Sequence, residues 1–326
     1  MGLRTLLVER SPEPRDKVGE ALHPGVEALL RELGVADRVS EVTGARFPGV
    51  EVGWGGPPQL QPFGGDAEGP WLGFQLDRRG FDARLLERAR NQGAEVRRAV
   101  TLDRPLLDGE AVAGAVTTAG ESLPARVVID ASGPAAWLSR RLGVGWMRRS
   151  PPLTVRYGYV RASGQAAPRL TGDTDGWTWT AQVAPDLRQW ANLALPGRAP
   201  RPEPPPECAG LPPVGPPRGA DATWRIAERL AGPVWLLAGE AAASLDPASS
   251  KGVLRALPSG LFAGRTAAAI RARGAPADEG ARAYDGWLRR GFETEVRALA
   301  PMYAQLGAAG FGDVAAPRRP ALRQGS

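Results

Sequence analysis

One stretch of the chain, residues 233–270, constrains the fold most, because a short apolar run is followed there by a long helix of small residues. The run Trp-Leu-Leu-Ala is apolar enough for a buried strand, and it ends at Gly239 and Glu240. Pro247 and Ser250 are residue types that begin helices. Amide groups at a helix start are unpaired and carry partial positive charge. The pattern therefore favours a turn that binds a phosphate or an electron-rich ring, with an ordinary strand–loop–helix connection as the alternative.

Composition excludes several classes of protein. The 326 residues suffice for one large or two modest domains. A single cysteine, Cys208, excludes a disulfide framework, and a single histidine, His23, argues against a Ser-His-Asp triad or a histidine-bound metal. The net charge is +6, but acidic residues are interleaved with the arginines, which indicates solvated helix faces. With no long apolar run and no signal-peptide core, we expect a cytoplasmic protein that binds neither metal, nucleic acid nor membrane.

Hydrophobic periodicity predicts alternating strands and helices in the first half of the chain. The expected elements, in order, are a strand at 3–8, a helix at 23–33 stopped by Gly34, a strand at 46–54, a loop at 55–70, a strand at 71–76, a helix within 76–93, a strand at 94–100, and two strands paired around Gly120, the second at 125–129. The second half begins with aromatic-rich strands between residues 153 and 195. The proline-rich residues 197–219 predict a surface connection or a disordered segment.

These elements indicate three parts. A discontinuous nucleotide-binding domain is expected at 1–150 and 220–275. A substrate-domain sheet with the proline-rich connection is expected at 151–219, together with parts of 46–76. C-terminal helices, with helical spacing over 279–306, and a loose tail at 316–326 complete the expected third part, 276–326.

Two further signals accompany the Gly239-Glu240 turn. The first strand ends in Glu9 and Arg10, and an acid at this place is typical of the second strand of a dinucleotide-binding unit, where it accepts hydrogen bonds from a ribose. The strand near residue 128 ends in Asp130-Ala131-Ser132-Gly133, whose small residues permit close approach of a ligand to the backbone.

In this order the motifs resemble the FAD-dependent oxidoreductases of the group that includes aromatic hydroxylases, geranylgeranyl reductases and tryptophan halogenases. Residues 18–24 are similar to the Gly-Glu-x-x-x-Pro loop of the halogenase and reductase branch. Residues 77–82 are similar to the family's Asp-Arg-x-x-Phe-Asp segment, and 130–134 to its strand-end motif. Residues 236–257 resemble its Gly-Asp motif, with the Pro and Ser-Ser-x-Gly turn near the flavin ring. This last form is most similar to halogenase-like flavoproteins associated with amine oxidases that have protein-derived cofactors.

The resemblance implies an α/β fold: a Rossmann-like FAD/NAD(P)-binding domain with an inserted β-sheet substrate domain. It implies FAD, with NAD(P)H or a separate flavin reductase as electron source, and a monooxygenase-type or halogenase-like reaction on a small-molecule or peptidyl substrate. The implied cofactor-binding residues are Glu9, Arg10, Gly19, Glu20, Asp130, Gly133, Gly239, Glu240, Pro247, Ser250 and Gly252. His23 is the candidate catalytic residue, with an ordinary helix-start histidine as the alternative.

Two departures from the family pattern bear on cofactor binding. The family opens with a strand, a Gly-x-Gly-x-x-Gly turn and a helix, and this first unit is missing from the chain. We therefore expect that the natural reading frame begins upstream. In addition, Glu240 stands where the family has Asp, and the extra methylene moves the carboxylate by about 1.5 Å. Both departures also favour an alternative, a degenerate remnant that binds no FAD and acts at most as a protein-interaction partner.

The tryptophan halogenase signature is incomplete. Trp177 and Trp179 approach a Trp-x-Trp-x-Ile-Pro motif, but Ala181 and Gln182 replace its last two residues. No lysine lies between residues 17 and 251, where that family has its catalytic lysine. We therefore interpret the Trp pair as core packing on one strand face and do not expect chlorination of free tryptophan. A reductase that acts on prenyl chains is a third possibility.

Overall fold

The structure is a computed structural model, and it describes residues 3–14, 18–164, 167–273 and 277–312. The helices within these ranges are α1 Val26–Leu33, α2 Ala36–Ser40, α3 Arg78–Asn91, α4 Trp137–Arg141, α5 Gly252–Arg273 and α6 Ala277–Gln305. The strands are β1 Leu6–Glu9, β2 Ala21–Leu22, β3 Thr43–Phe47, β4 Gly49–Trp54, β5 Gln59–Pro62, β6 Gly65–Asp66, β7 Gly69–Pro70, β8 Gly73–Leu76, β9 Glu95–Arg98, β10 Leu102–Asp108, β11 Ala111–Thr117, β12 Ser122–Pro124, β13 Val128–Asp130, β14 Trp146–Arg148, β15 Thr154–Arg161, β16 Arg169–Asp173, β17 Gly176–Ala184, β18 Leu187–Ala194, β19 Arg218–Asp221, β20 Arg225–Ala227, β21 Ala231–Gly232, β22 Trp235–Leu237 and β23 Ala243–Ser244.

The parallel strands form two separate groups. Strand β1 pairs in parallel with β9, and β13 pairs in parallel with β22, which also pairs with β21. Within the described ranges no strand joins the two groups. Leu6 and Leu7 are each 37% exposed, and since neighbouring residues of a strand point to opposite faces, β1 is partly exposed on both faces. Among the described strands β1 pairs only with β9 and β13 only with β22, so each group has an open edge.

A seven-stranded sheet in the order β19-β15-β18-β17-β16-β4-β5 forms the second architectural part. Its central strand β17 carries Trp177 and Trp179, which are buried as the spacing predicts for core packing. Helix α6 contributes Phe292, Val296 and Tyr303 to the same hydrophobic core. The helix therefore packs the C-terminal part of the described chain against the sheet.

Most predicted elements are confirmed. The helices expected at 23–33, within 76–93 and at 279–306 are α1, α3 and α6, and Gly34 ends α1 in the left-handed conformation. The strand expected at 235–238 is β22. The aromatic strands between 153 and 195 are β15 to β18. The tail at 316–326 lies outside the described residues.

Three predictions of local structure are wrong. Residues 55–70, expected as a loop, contain β5, β6 and β7, because their Gly and Pro residues occupy hairpin turns and strand ends. The strand expected at 46–54 is broken at Pro48 into β3 and β4, since Pro has no amide donor. The partner of β11 beyond Gly120 is β12, whereas residues 128–130 turn away to pair with β22.

The proline-rich segment, residues 197–219, is a mostly exposed connection, which is the first of its two predicted alternatives. It contains a short 3-10 helix, Pro206–Cys208, whose Cys208 is fully buried against Val160 and Trp190. The prolines prevent regular pairing, but the cysteine behaves as a small hydrophobic residue that fastens the segment to the sheet. The described part of the segment is therefore ordered and packed.

Candidate functional site

The turn after β22 rests directly on helix α5. Gly239 has a left-handed backbone with φ of +60°, and its N–H donates to Ser259 Oγ at 2.9 Å. A Cβ atom at this position would lie 3.6 Å from the Ala256 Cβ. The small residues along α5 therefore let the helix support the turn.

The turn after β13 lies beside it. The Asp130 carboxylate is buried and accepts from the N–H groups of Ser132 and Leu138, both at 2.8 Å. These bonds occupy one lone pair on each oxygen and shape the turn that contains Gly133, whose φ is +66°. A Cβ at Gly133 would be 3.9 Å from Glu240 Oε2. The structure thus brings together two left-handed glycine turns that are more than 100 residues apart in the chain.

Glu240 projects at this junction. Its side chain is exposed, and among the described residues no hydrogen bond or ion pair engages its carboxylate. Asp130 and Glu240 therefore have different environments: Asp130 is buried and bonded within the chain, whereas Glu240 is open to solvent.

The Gly19-Glu20 loop is fastened to the large sheet. Glu20 Oε1 accepts from the Tyr159 hydroxyl at 2.6 Å, and Oε2 accepts from the Gly19 N–H at 2.8 Å. Burial raises the pKa of Glu20, while the Tyr159 hydrogen bond, the backbone bonds and the positive charge of Arg78 oppose that rise. The Glu20 side chain therefore connects its loop to strand β15, a contact that the sequence pattern does not reveal.

His23 lies where this loop meets the start of α5. Its Nδ1 accepts from the Gly25 N–H at 3.0 Å, so a neutral ring carries its proton on Nε2. Burial, and secondarily the positive charge of Lys251, lower the pKa of His23. A Cβ at Gly25 would lie 3.5 Å from Leu254 Cδ1, which places the loop against the helix start. The ring is therefore neutral at pH 7.

Glu9 and Arg10 stand at the end of β1. Glu9 Oε1 accepts from the Ser11 N–H at 2.8 Å, and Arg10 is exposed. Arg98 of the paired strand β9 donates to the Pro12 carbonyl at 2.9 Å and holds the following loop. The end of β1 is thus ordered by its partner strand.

Pro247, Ser250 and Gly252 form the entry to α5. Pro247–Ser249 is a 3-10 turn, Ser250 follows in a left-handed conformation with φ of +52°, and α5 begins at Gly252. Left-handed backbone is unfavourable for a residue other than glycine and persists only where the surroundings hold it. The entry therefore depends on neighbouring contacts.

Sequence analysis missed Asp246, which caps this turn. Its side chain is fully buried, and Oδ1 accepts from the Ala248 N–H at 2.8 Å while Oδ2 accepts from the Tyr303 hydroxyl of α6. Burial raises the pKa of Asp246 to about 6. An Asp before Pro at a helix start is a capping signal, but the local sequence does not predict the hydrogen bond with Tyr303, which lies 57 positions later.

Sequence comparisons relate this chain to flavin-dependent halogenases and to a reductase. The model of the tryptophan halogenase family matches residues 70–187. A 1H-pyrrole-2-carbonyl-[peptidyl-carrier protein] brominase of Pseudoalteromonas luteoviolacea is 27% identical over 198 residues, which are 57% of this chain and 47% of that protein. The chain thus matches about half the length of that relative. A menaquinone reductase of Mycolicibacterium smegmatis is 25% identical over 319 residues, 85% of this chain and 72% of that protein.

Solved structures show the same architecture. The flavin-dependent brominase Bmp2 superposes with a TM-score of 0.81 at 22% identity, covering 94% of this chain and 82% of that one. The peptidyl tryptophan dihydroxylase QhpG superposes with a TM-score of 0.72 at 19% identity, covering 93% of this chain and 70% of that one. The α/β fold and the resemblance to the halogenase-like branch of FAD-dependent oxidoreductases are confirmed.

The described residues fit the flavin ring of a flavin nucleotide better than they fit its pyrophosphate. Gly133 and Gly239 supply two adjacent turns without side chains, and Gly252 at the start of α5 has open space around its Cβ position. These features suit close approach of a flat, electron-rich ligand. No described turn offers the glycine-rich amide cradle for a pyrophosphate.

Among the described residues, no helix is long and apolar enough to cross a membrane, and no three His, Cys, Asp or Glu side chains cluster as metal ligands would.

Proposed function

We propose that this chain is an FAD-dependent oxidoreductase, of the monooxygenase or halogenase-like type, whose flavin is held by the Gly133 and Gly239 turns and the entry to α5. The observation that carries the proposal is the adjacency of these two turns, seen in the 3.9 Å between Glu240 Oε2 and a Cβ at Gly133. When bound, FAD supplies the redox chemistry, and the protein supplies position and electrostatics.

The chain's own residues have defined tasks in this proposal. Gly133 and Gly239 allow backbone contact, and Glu240 presents an unpaired carboxylate to ribityl or ribose hydroxyls. His23, neutral at pH 7, offers an Nε2–H donor near the start of α5. Glu9, at the end of β1, is the acceptor for the adenosine ribose. Asp130 and Glu20 act indirectly, by shaping the turns that carry them.

The substrate is proposed to be an organic group borne by a peptide or carrier protein. One relative is named as a brominase of a carrier-bound pyrrole, and a structural neighbour is named as a peptidyl tryptophan dihydroxylase. Because Trp177 and Trp179 are buried in the core, they are not offered as substrate contacts. NAD(P)H or a separate flavin reductase as electron donor stays a prediction.

We further propose that the nucleotide domain is completed by a strand–turn–helix unit between β1 and β13. The two parallel groups are open, with Leu6, Leu7 and Ile129 each more than a third exposed. A cavity of about 610 Å³ runs along the small-residue face of α5 at Gly260 and Gly264. A parallel strand with its helix would cover these surfaces and supply amides for the pyrophosphate. The expected domain division is part of this proposal.

The remnant hypothesis remains the second candidate. It is favoured by Glu240, whose side chain is one methylene longer than the family's Asp. It differs in one measurable consequence: a remnant gains no stability from FAD, whereas a protein that binds FAD when folded does.

Replacing Gly133 by alanine is expected to weaken FAD binding at least about tenfold. The new methyl group would stand where the turn offers bare backbone to the cofactor, and Gly143 provides a matched control. Both glycines are left-handed, with φ of +66° and +65°, and only Gly143 lies outside the proposed site. Each Gly→Ala change costs roughly 1–2 kcal/mol of backbone strain. FAD titration monitored by flavin fluorescence decides: equal affinities in G133A and G143A would refute the assignment of this turn.

A further inference from the structure

A series of hydrogen bonds connects the large sheet to the entry of α5. The Trp177 indole N–H donates to the Tyr303 hydroxyl oxygen at 2.7 Å. Tyr303 in turn contacts Asp246 Oδ2, and the Ala248 N–H donates to Asp246 Oδ1 at 2.8 Å. Trp177, Tyr303 and Asp246 are all at most 1% exposed. The contacts therefore form one buried path that connects β17, α6 and the 3-10 turn.

The direction of every bond in this path is fixed by chemistry. An indole N–H can only donate, so the Tyr303 oxygen accepts from Trp177. The hydroxyl hydrogen of Tyr303 is then free for Asp246, whose Oδ2 must accept it. Oδ1 must likewise accept from the Ala248 amide. The ionised carboxylate is the better acceptor for both donors, because hydrogen bonds to a charged acceptor are stronger and a proton on either oxygen takes up one of its lone pairs.

Burial opposes this ionised state. It raises the pKa of Asp246 to about 6, while Tyr303 from α6, the Ala248 amide, Trp224 and the charge of Arg255 from α5 lower it. Arg255 is itself paired with Glu295 of α6 at 2.9 Å. The Trp224 indole lies close enough to contribute, although its N–H has no acceptor of good geometry among the described residues. The carboxylate is thus the major form at pH 7 and gives way to the acid below pH 6.

We propose that the Asp246 carboxylate is the positioning residue for the Pro247–Ser250 turn, and that Tyr303 and Trp177 couple this turn to the substrate-side sheet. The cap holds the turn ahead of Ser250, whose left-handed backbone needs such support. Proton uptake by Asp246 removes its charge, weakens its hydrogen bonds with the Ala248 amide and the Tyr303 hydroxyl, and loosens the turn. The consequence for flavin binding rests on the function proposed above.

The first test needs no cofactor. In protein labelled with 15N-alanine, the Ala248 amide signal is assigned by its disappearance in A248G. We expect it to titrate with a midpoint near pH 6, to stop titrating in D246N, and to shift its midpoint upward in Y303F, which removes a donor to the carboxylate. A flat signal in the wild type, titration that persists in D246N, or an unchanged midpoint in Y303F would each overturn the proposal.

The second test measures the consequence for the cofactor. FAD affinity of the wild type is expected to fall about tenfold between pH 7.5 and pH 5.5, and that of D246N to be weak at both values. Equal wild-type affinity at the two pH values would overturn the coupling to the flavin site. If neither protein binds FAD at any pH, the proposed function fails, whereas the Ala248 titration still decides whether Asp246 positions the turn.

Discussion

Supplying a strand, a glycine-rich turn and a helix in front of β1 is expected to raise FAD affinity more than about 100-fold and the melting temperature by roughly 5 °C. The affinity gain reflects several amide–phosphate hydrogen bonds at a helix start, each worth about 1.5–3 kcal/mol. The stability gain reflects burial of Leu6, Leu7 and Ile129, now 37–39% exposed, at about 25 cal/mol per Å² of apolar surface, together with new strand pairing. The added segment is a designed strand–turn–helix unit whose turn has the Gly-x-Gly-x-x-Gly pattern.

The control for this experiment is the same extension with its glycines replaced by valine. This control retains the strand and its apolar burial but blocks close approach to the pyrophosphate. Calorimetry and flavin absorbance are measured on all three proteins. An extension that changes neither melting temperature nor affinity would contradict the proposal that the open edges of β1 and β13 receive a further strand.

Removing the Tyr159 hydroxyl is expected to destabilise the protein by about 2 kcal/mol at pH 7, because Tyr159→Phe deprives a buried carboxylate of a charge-assisted hydrogen bond. Burial raises the pKa of Glu20, so the folded protein favours the protonated carboxyl. The stability that this preference contributes is complete below the pKa of Glu20 in the unfolded chain, and it is lost as the pH rises through the pKa in the folded protein. Loss of the Tyr159 donor raises that pKa further. The cost of Tyr159→Phe should therefore shrink as the pH is lowered toward 4.

Two comparisons isolate this effect. Tyr157 lies on the same strand, and its hydroxyl has no hydrogen-bond partner within the described ranges, so Tyr157→Phe should change stability by less than about 0.5 kcal/mol. In the Glu20→Gln background, the cost of Tyr159→Phe should no longer depend on pH. Urea unfolding between pH 4 and pH 8 provides the measurement, and a pH-independent cost in the wild-type background would refute the Glu20–Tyr159 link.

Local elements with strong periodicity could be predicted from the sequence. The Asp77 cap and the apolar spacing indicate helix α3, and an apolar run that ends in glycine indicates β22. The hairpins of residues 55–70 could not be predicted, because their pairing with β4 and with one another depends on partners that composition does not reveal. The burial of Cys208 likewise depends on Val160 and Trp190, which are distant in the chain.

The candidate site shows the same limit. Its turns were visible because Gly133 and Gly239 follow buried strands, but their adjacency follows from the parallel pairing of β13 with β22. Asp130 and Glu20 are predicted to contact the cofactor, and the structure adds that both carboxylates also accept hydrogen bonds from the protein itself. Asp246 was missed because its burial and its tyrosine donor belong to the tertiary structure. Motif spacing identified the turns, and only the folded chain shows which carboxylates remain free.

FAD titration followed by thermal melting tests the central proposal most directly. If the Gly133 and Gly239 turns hold the flavin, purified protein carrying the designed extension should show flavin absorbance, and its melting temperature should rise with FAD concentration. At an FAD concentration 100 times the dissociation constant, bound FAD should add about 2.7 kcal/mol to the free energy of unfolding. At the same FAD concentration, G133A should show a smaller response, while G143A keeps the full one. A colourless protein whose melting temperature does not respond to FAD, with and without the extension, would contradict the proposal that this chain is a flavoenzyme.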